Sequence, residues 1–90
     1  MIMSANPFQV SNEAEILSPS LLVYPDRIFH NLERMLQLAG GPERLRPHVK
    51  THKLPEVVGM QISQGVVKFK CATISECEMT AGSGARDVLL

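Results

Sequence analysis

Short apolar segments alternate with helical segments along most of the chain, and this alternation constrains the fold more than any other feature of the sequence. The predicted order is strand 20–24, a helix ending at Gly40, strand 45–51, helix 54–64, strand 66–72, a helix beginning near Thr73, and strand 87–90. The connections are too short for anything but repeated strand-helix units, and such units form parallel sheets covered by helices. The chain is therefore predicted to be an α/β protein with a parallel sheet.

The clearest helical pattern lies between Asp26, which is predicted to cap the helix, and Gly40, which is predicted to end it. Apolar side chains recur there at intervals of three and four residues, as they do on one face of an α-helix. They are Ile28, Leu32, Met35, Leu36 and Ala39. This face is predicted to pack on the sheet.

The helix that follows strand 66–72 begins with a capping box, for which the sequence offers two registers. Thr73 can pair with Glu76, or Ser75 can pair with Glu78. In either register the two glutamates are interpreted as helix caps and first-turn residues, and not as a carboxylate pair for acid-base catalysis.

Residues 87–90 form an apolar strand with no helix after it, which would leave a sheet edge and face uncovered. We therefore expect the chain to be a piece of a larger fold, either a (β/α) barrel or one half of a doubly wound sheet. Residues 1–18 are aperiodic and are predicted to be an irregular lead-in, and residues 19–90 are predicted to be the first βα units of the domain.

Composition excludes several classes of function. Nine Lys and Arg balance nine Asp and Glu, so the net charge gives no reason to expect a nucleic-acid partner. No apolar run approaches the roughly 18 residues needed to span a bilayer, and the first 18 residues lack the pattern of a signal peptide, so a cytoplasmic location without membrane contact is expected. The spacing of Cys71 and Cys77 matches no zinc motif, and no metal ligands are predicted.

The chemistry is concentrated in the sequence RPHVKTHK at residues 46–53. In an extended strand, Arg46, His48, Lys50 and His52 would share one face and the intervening residues, among them Thr51, the other. If the sheet is covered on both faces, these four polar side chains are buried and would need a polar or charged ligand. If the strand is instead an exposed edge strand, its basic face is solvated and the same pattern needs no ligand. Lys50 lies near the carboxyl end of the strand, where active sites of α/β proteins collect, and its free amine would be a nucleophile for a carbonyl compound.

The octapeptide at 46–53 resembles the start of the D-threonine aldolase and D-serine dehydratase family, whose enzymes carry pyridoxal 5'-phosphate on a (β/α)8 TIM-type barrel like the N-terminal domain of alanine racemase. The sequences FKCATISECEM at 69–79, DVLL at 87–90 and SPSLLV at 18–23 carry the same resemblance. The similarity extends over about residues 18 to 90.

The resemblance implies that Lys50 is the catalytic lysine that binds pyridoxal 5'-phosphate as a Schiff base, with His48, Thr51 and His52 lining the region around the cofactor. It further implies a small D-amino acid as substrate, cleavage of a C–C or C–O bond, and a homodimer for the complete enzyme. A divalent metal assists some members of the family, but its ligands have no counterpart among these residues. A piece of this length is expected to be inactive by itself.

Three alternatives remain at the level of sequence. The protein could bind pyridoxal phosphate on the same barrel without catalysis and serve cofactor supply, or it could be an inactive gene fragment. A small basic module could bind nucleic acid or phosphorylated ligands through Arg44, Arg46, Lys50 and Lys53, although neutral net charge and the lack of an aromatic stacking platform oppose this.

Overall fold

The computed structural model of the protein describes residues 8–90. It contains three α-helices and two short strands. In chain order they are α1 (Pro25–Ala39), α2 (Pro55–Ser63), β1 (Lys68–Lys70), α3 (Ile74–Gly82) and β2 (Asp87–Leu89). Two single-turn 3-10 helices, Glu13–Glu15 and Pro42–Arg44, lie in the connections.

The sheet is parallel, as predicted. β1 and β2 pair with Phe69 opposite Val88, and an isolated parallel bridge between His48 and Lys70 extends the sheet on the other side of β1. Each neighbouring pair is joined through a helix, α2 in one case and α3 in the other. The α/β class is thus confirmed, with a sheet compatible with a partial βα array.

The helices cover one face of this sheet. Val49 and Phe69 are fully buried in a cluster that also contains Val58, Val66 and Cys71. Side chains from every helix pack against this cluster, among them Leu36 of α1, Ile62 of α2 and Met79 of α3. The predicted apolar face of α1 is confirmed, since Leu32 is buried and the other four residues of the stripe are half-buried.

The ends of the helices agree with the sequence in two places and differ in one. Gly40 ends α1 in the left-handed region, with φ of 87°. Thr73 caps α3, because its hydroxyl oxygen accepts a hydrogen bond from the N–H of Glu76 at 3.1 Å. The prediction that Asp26 caps α1 is wrong: the helix already begins at Pro25, whose fixed φ and missing N–H suit the first helical position.

Two predicted strands differ from the structure. Residues 20–24 form no strand, and Leu21 and Leu22 are 61% and 47% exposed, because no neighbouring segment supplies a hydrogen-bonding ladder among the described residues. The strand predicted over 45–51 is reduced to the bridge at His48, since the backbone turns at Lys50.

Residues 1–7 of the predicted lead-in lie outside the described residues. Residues 8–18 are irregular apart from the turn at Glu13–Glu15. Phe8 nevertheless contacts the start of α1: its ring meets that of Tyr24 edge-on at 5.3 Å, and the guanidinium of Arg27 lies 4.8 Å from the ring centre.

Candidate functional site

The octapeptide at 46–53 is a short extended segment followed by a tight turn. The extended part ends at Val49, whose side chain is fully buried beneath the sheet. The N–H of Lys53 donates to the carbonyl of Val49 at 2.8 Å and closes the turn. Lys53 adopts a left-handed conformation with φ of 56°, which is uncommon for a residue other than glycine. The chain therefore reverses direction immediately after the strand and presents Lys50 at its carboxyl end.

Two histidines support this turn in the same way. Nδ1 of His48 accepts a hydrogen bond from the N–H of Lys50 at 3.1 Å, and Nδ1 of His52 accepts one from the N–H of Leu54 at 2.9 Å. A neutral imidazole that accepts at Nδ1 carries its proton on Nε2. The two histidines, which lie two residues before and two residues after Lys50, are thus both held in the tautomer that offers an N–H donor at Nε2.

The environments of the two histidines differ. Nε2 of His52 is buried and has no hydrogen-bond partner within the described part of the chain. Burial lowers the pKa of His52 below its ordinary value, because the charged imidazolium loses hydration. His48 is half-buried and lies in the sheet beside Lys70. The surroundings of His52 therefore favour the neutral form of its imidazole.

Lys50 and Thr51 are both exposed. Lys50 forms no salt bridge with any residue of the 8–90 region. Thr51 and His52 line a cavity of about 330 Å³ together with residues 21–24 and residues of α1 and α2. Lys50 thus lies in the chain directly before two residues of this cavity wall, one with a hydroxyl group and one with an imidazole.

The side of the sheet that faces away from the buried cluster is polar. Its members, called the polar face below, are Arg46, His48, Lys68, Lys70 and Asp87, with Leu89 as the one apolar residue among them. In a parallel ladder, residues paired in register lie side by side on the same face. Lys68 and Lys70 were not among the predicted site residues, although a lysine on each side of a buried phenylalanine is typical of a strand with one polar face.

One ion pair crosses this face. Nη1 of Arg46 lies 2.8 Å from Oδ1 of Asp87 and also donates to the carbonyl of Phe69 at 3.0 Å. The hydrogen bond with Asp87 raises the pKa of Arg46, and it lowers the pKa of Asp87 below its usual range. Arg46 therefore links the strand that leads to Lys50 with both β1 and β2.

The predicted site residues do not share one face. Arg46 and His48 lie on the polar face as predicted, and Val49 lies on the opposite, buried side. The prediction that Lys50 and His52 continue this face is wrong, because the turn closed by Lys53 ends the alternation at Val49. Lys50 thus lies between the polar face, marked by His48, and the cavity lined by Thr51 and His52.

Three further features of the described residues concern metals, thiols and membranes. No group of three or more His, Cys, Asp or Glu in residues 8–90 is placed to hold a metal ion. Both cysteines are free thiols, and burial raises the pKa of the Cys71 thiol. None of the helices described is long and apolar enough to cross a membrane.

The fold and the turn together define an α/β arrangement with an exposed lysine two residues after a parallel bridge to the sheet. Comparison with known proteins finds similarity to D-threo-3-hydroxyaspartate dehydratase of Delftia sp. (strain HT23), 34% identical over 73 residues that make up 80% of this chain and 19% of that protein. A second relative is 3-hydroxy-D-aspartate aldolase of Paracoccus denitrificans (strain Pd 1222), 36% identical over 81 residues, 88% of this chain and 21% of that protein.

These relatives confirm the resemblance carried by the octapeptide and the segments that accompany it. The chain is similar to these D-hydroxyaspartate enzymes along 80% and 88% of its own length. It spans about a fifth of the length of the relatives that it matches. No protein-family model and no solved structure matches it.

Proposed function

We propose that this chain supplies the cofactor-binding lysine of a pyridoxal 5'-phosphate-dependent lyase that acts on D-amino acids by cleaving a C–C or a C–O bond. The position of Lys50 carries the proposal: it is exposed, it lies two residues after the parallel bridge at His48, and it has no carboxylate partner in residues 8–90. The relatives support the reaction class, since one is named a dehydratase and the other an aldolase. We also propose that the sheet is part of a (β/α)8 barrel.

The residues around Lys50 fit an anionic cofactor that binds an amine. Attachment of a carbonyl group requires an amine that can be reached from outside, and the exposed turn provides that access. The polar face beside it carries more cationic than anionic groups, as a phosphorylated ligand requires. Lys68 and Lys70 lie within the sheet, and Lys53 lines a different cavity, beside the start of α3. Lys50 is therefore the lysine best placed for attachment.

When it is bound, pyridoxal phosphate withdraws electrons from the α-carbon of an attached amino acid. The residues of this chain position groups around that chemistry. His48 offers its Nε2 proton beside Lys50, because its Nδ1 is occupied by the Lys50 N–H. Thr51 offers a hydroxyl in the cavity wall, where burial favours the neutral form of His52. These assignments make His48 and Thr51 candidate contacts of the cofactor or the substrate.

The proposal is tested by the absorbance that pyridoxal phosphate acquires when it attaches to a lysine. The full-length protein is mixed with the cofactor and gel-filtered, and its visible spectrum is recorded for the wild type, Lys50→Ala and Lys53→Ala. We expect Lys50→Ala to lose the band and Lys53→Ala to keep it. A band that survives in Lys50→Ala and disappears in Lys53→Ala would move the attachment site and contradict the proposal.

The reaction type is read from the products. C–C cleavage of D-threonine releases glycine and acetaldehyde, whereas elimination of its hydroxyl releases ammonia and a 2-oxo acid. An assay that quantifies both aldehyde and ammonia therefore separates an aldolase from a dehydratase. A protein that binds the cofactor through Lys50 but forms neither product from any D-β-hydroxy amino acid would instead have a role in cofactor binding alone.

A further inference from the structure

Two free cysteines are neighbours at the carboxyl end of β1. Cys71 is the first residue after the strand and is fully buried in the core cluster. Cys77 lies near the start of α3, is half-buried, and packs against the same cluster. Burial, and next to it the adjoining Cys77 thiol, raise the pKa of Cys71. The fold therefore brings two thiols together in one cluster.

The backbone between the two cysteines is fixed by its own hydrogen bonds. The N–H of Ala72 donates to Oε1 of Glu76 at 2.9 Å, and the N–H of Glu76 donates to Oγ1 of Thr73 at 3.1 Å. The N–H of Cys77 donates to the carbonyl of Thr73 at 3.0 Å. All three bonds lie between residues 71 and 77, so the local structure that this chain supplies is what places the thiols.

We propose that Cys71 and Cys77 are a redox-modification site, at which a peroxide converts the two thiols into a reversible intramolecular disulfide. Sγ of Cys77, the less buried of the two, attacks hydrogen peroxide and becomes a sulfenic acid, and one molecule of water is released. The sulfur of Cys71 then displaces the hydroxyl group of the sulfenic acid, which forms the S–S bond and releases a second molecule of water. The two thiols together lose two electrons and two protons, and the peroxide is reduced to water.

The disulfide joins the end of β1 to the start of α3. In the reduced protein Sγ of Cys71 donates to the carbonyl of Leu89 in β2 at 3.7 Å, and oxidation removes this donor. The N–H of Cys71 donates to the same carbonyl at 2.9 Å and is unaffected by oxidation. The inference does not depend on the function proposed for Lys50, because both cysteines belong to the buried side of the sheet.

Peptide mapping of the full-length protein tests the proposal. Trypsin cleaves after Lys70 and Arg86, so both cysteines lie in one peptide, residues 71–86. The reduced protein is treated with hydrogen peroxide, denatured in iodoacetamide and digested. We expect this peptide to lack two hydrogen atoms and to carry no alkyl group, and dithiothreitol before alkylation should restore two alkylated thiols. Further cleavage after Glu76 should leave the two halves linked.

The variants Cys77→Ser and Cys71→Ala separate the two steps. Cys77→Ser should form no disulfide in this peptide and should retain Cys71 as a thiol, because Cys71 is buried. Cys71→Ala should accumulate a sulfenic acid at Cys77 that dimedone traps, whereas wild-type Cys77 should escape trapping by closing the disulfide. Far-UV circular dichroism checks the folding of Cys71→Ala, and the result for Cys77→Ser does not require that variant.

Four results would overturn the inference. They are oxidation of wild-type Cys77 to a sulfinic acid while Cys71 stays a thiol, a disulfide from Cys77 to a cysteine outside residues 71–86, equal trapping of Cys77 by dimedone in the wild type and Cys71→Ala, and no oxidation of either cysteine. Each would show that the sulfur of Cys71 does not capture an oxidised Cys77.

Discussion

The replacement of Phe69 by alanine tests the packing that holds the polar face in place. Phe69 is 0% exposed and lies between Lys68 and Lys70, with Val88 opposite it in the ladder. Burial of a phenylalanine removes roughly 150 to 250 Å² from water, which corresponds to roughly 4 to 6 kcal/mol at about 25 cal/mol per Å². Measured phenylalanine-to-alanine changes in protein cores cost about 3 to 5 kcal/mol, so we expect a loss of about 4 kcal/mol from Phe69→Ala.

Phe29 supplies the control. It is the same residue type, lies on α1, and is 41% exposed. Phe29→Ala should cost less than about 1 kcal/mol. Urea-induced unfolding followed by far-UV circular dichroism, with the m values compared to confirm that the same surface is exposed on unfolding, gives both free energies. The packing argument would be refuted if the free energies of unfolding of the two variants differed by less than about 1 kcal/mol.

Three further predictions concern the cap of α3, the buried imidazole and the thiols. Thr73→Ala should lower the free energy of unfolding by about 1 kcal/mol, because the N–H of Glu76 loses its acceptor, and Thr73→Ser should restore most of it in the same urea assay. Burial lowers the pKa of His52 below 6.5, so the unfolded chain binds more protons than the folded protein when the pH falls. The stability from this group should be fully present above pH 6.5 and should decrease as the pH drops through the pKa of the folded protein. Thermal unfolding between pH 8 and 5 should show this slope, and an unchanged slope in His52→Gln would contradict it. A thiol reagent should modify Cys77 before Cys71, because the Cys71 thiol is buried and its pKa is raised. Equal modification rates for the two cysteines in the folded protein would contradict the burial of Cys71 after β1.

The alternation of apolar and helical segments predicted the parts of the fold that depend on local signals. Gly40 ends α1, Thr73 caps α3, and the β-branched run before Thr73 contains β1, because turn residues, hydroxyl caps and periodicity act within a few positions. Residues 20–24 have an equally good strand pattern but form no strand. Strand formation needs a partner in the ladder, and no local pattern supplies one.

The site was predicted as a set of residues but not as an arrangement. The octapeptide identified Lys50, His48, Thr51 and His52, whose roles stay predictions, and strand periodicity correctly placed His48 on the polar face. Periodicity failed after Val49, because the hydrogen bond from Lys53 to Val49 turns the backbone there. The position of Lys70 between His48 and Leu89 was not predicted, because it depends on the register of the neighbouring strands, which is a property of the folded sheet.

The central claim is that Lys50 attaches the cofactor, and reduction of the loaded full-length protein with borohydride tests it most directly. Reduction makes the attachment permanent, and peptide mapping by mass spectrometry then assigns the modified lysine. We predict that the pyridoxyl group is found on Lys50. A pyridoxyl group on Lys53 or Lys70, with Lys50 unmodified, would contradict the account.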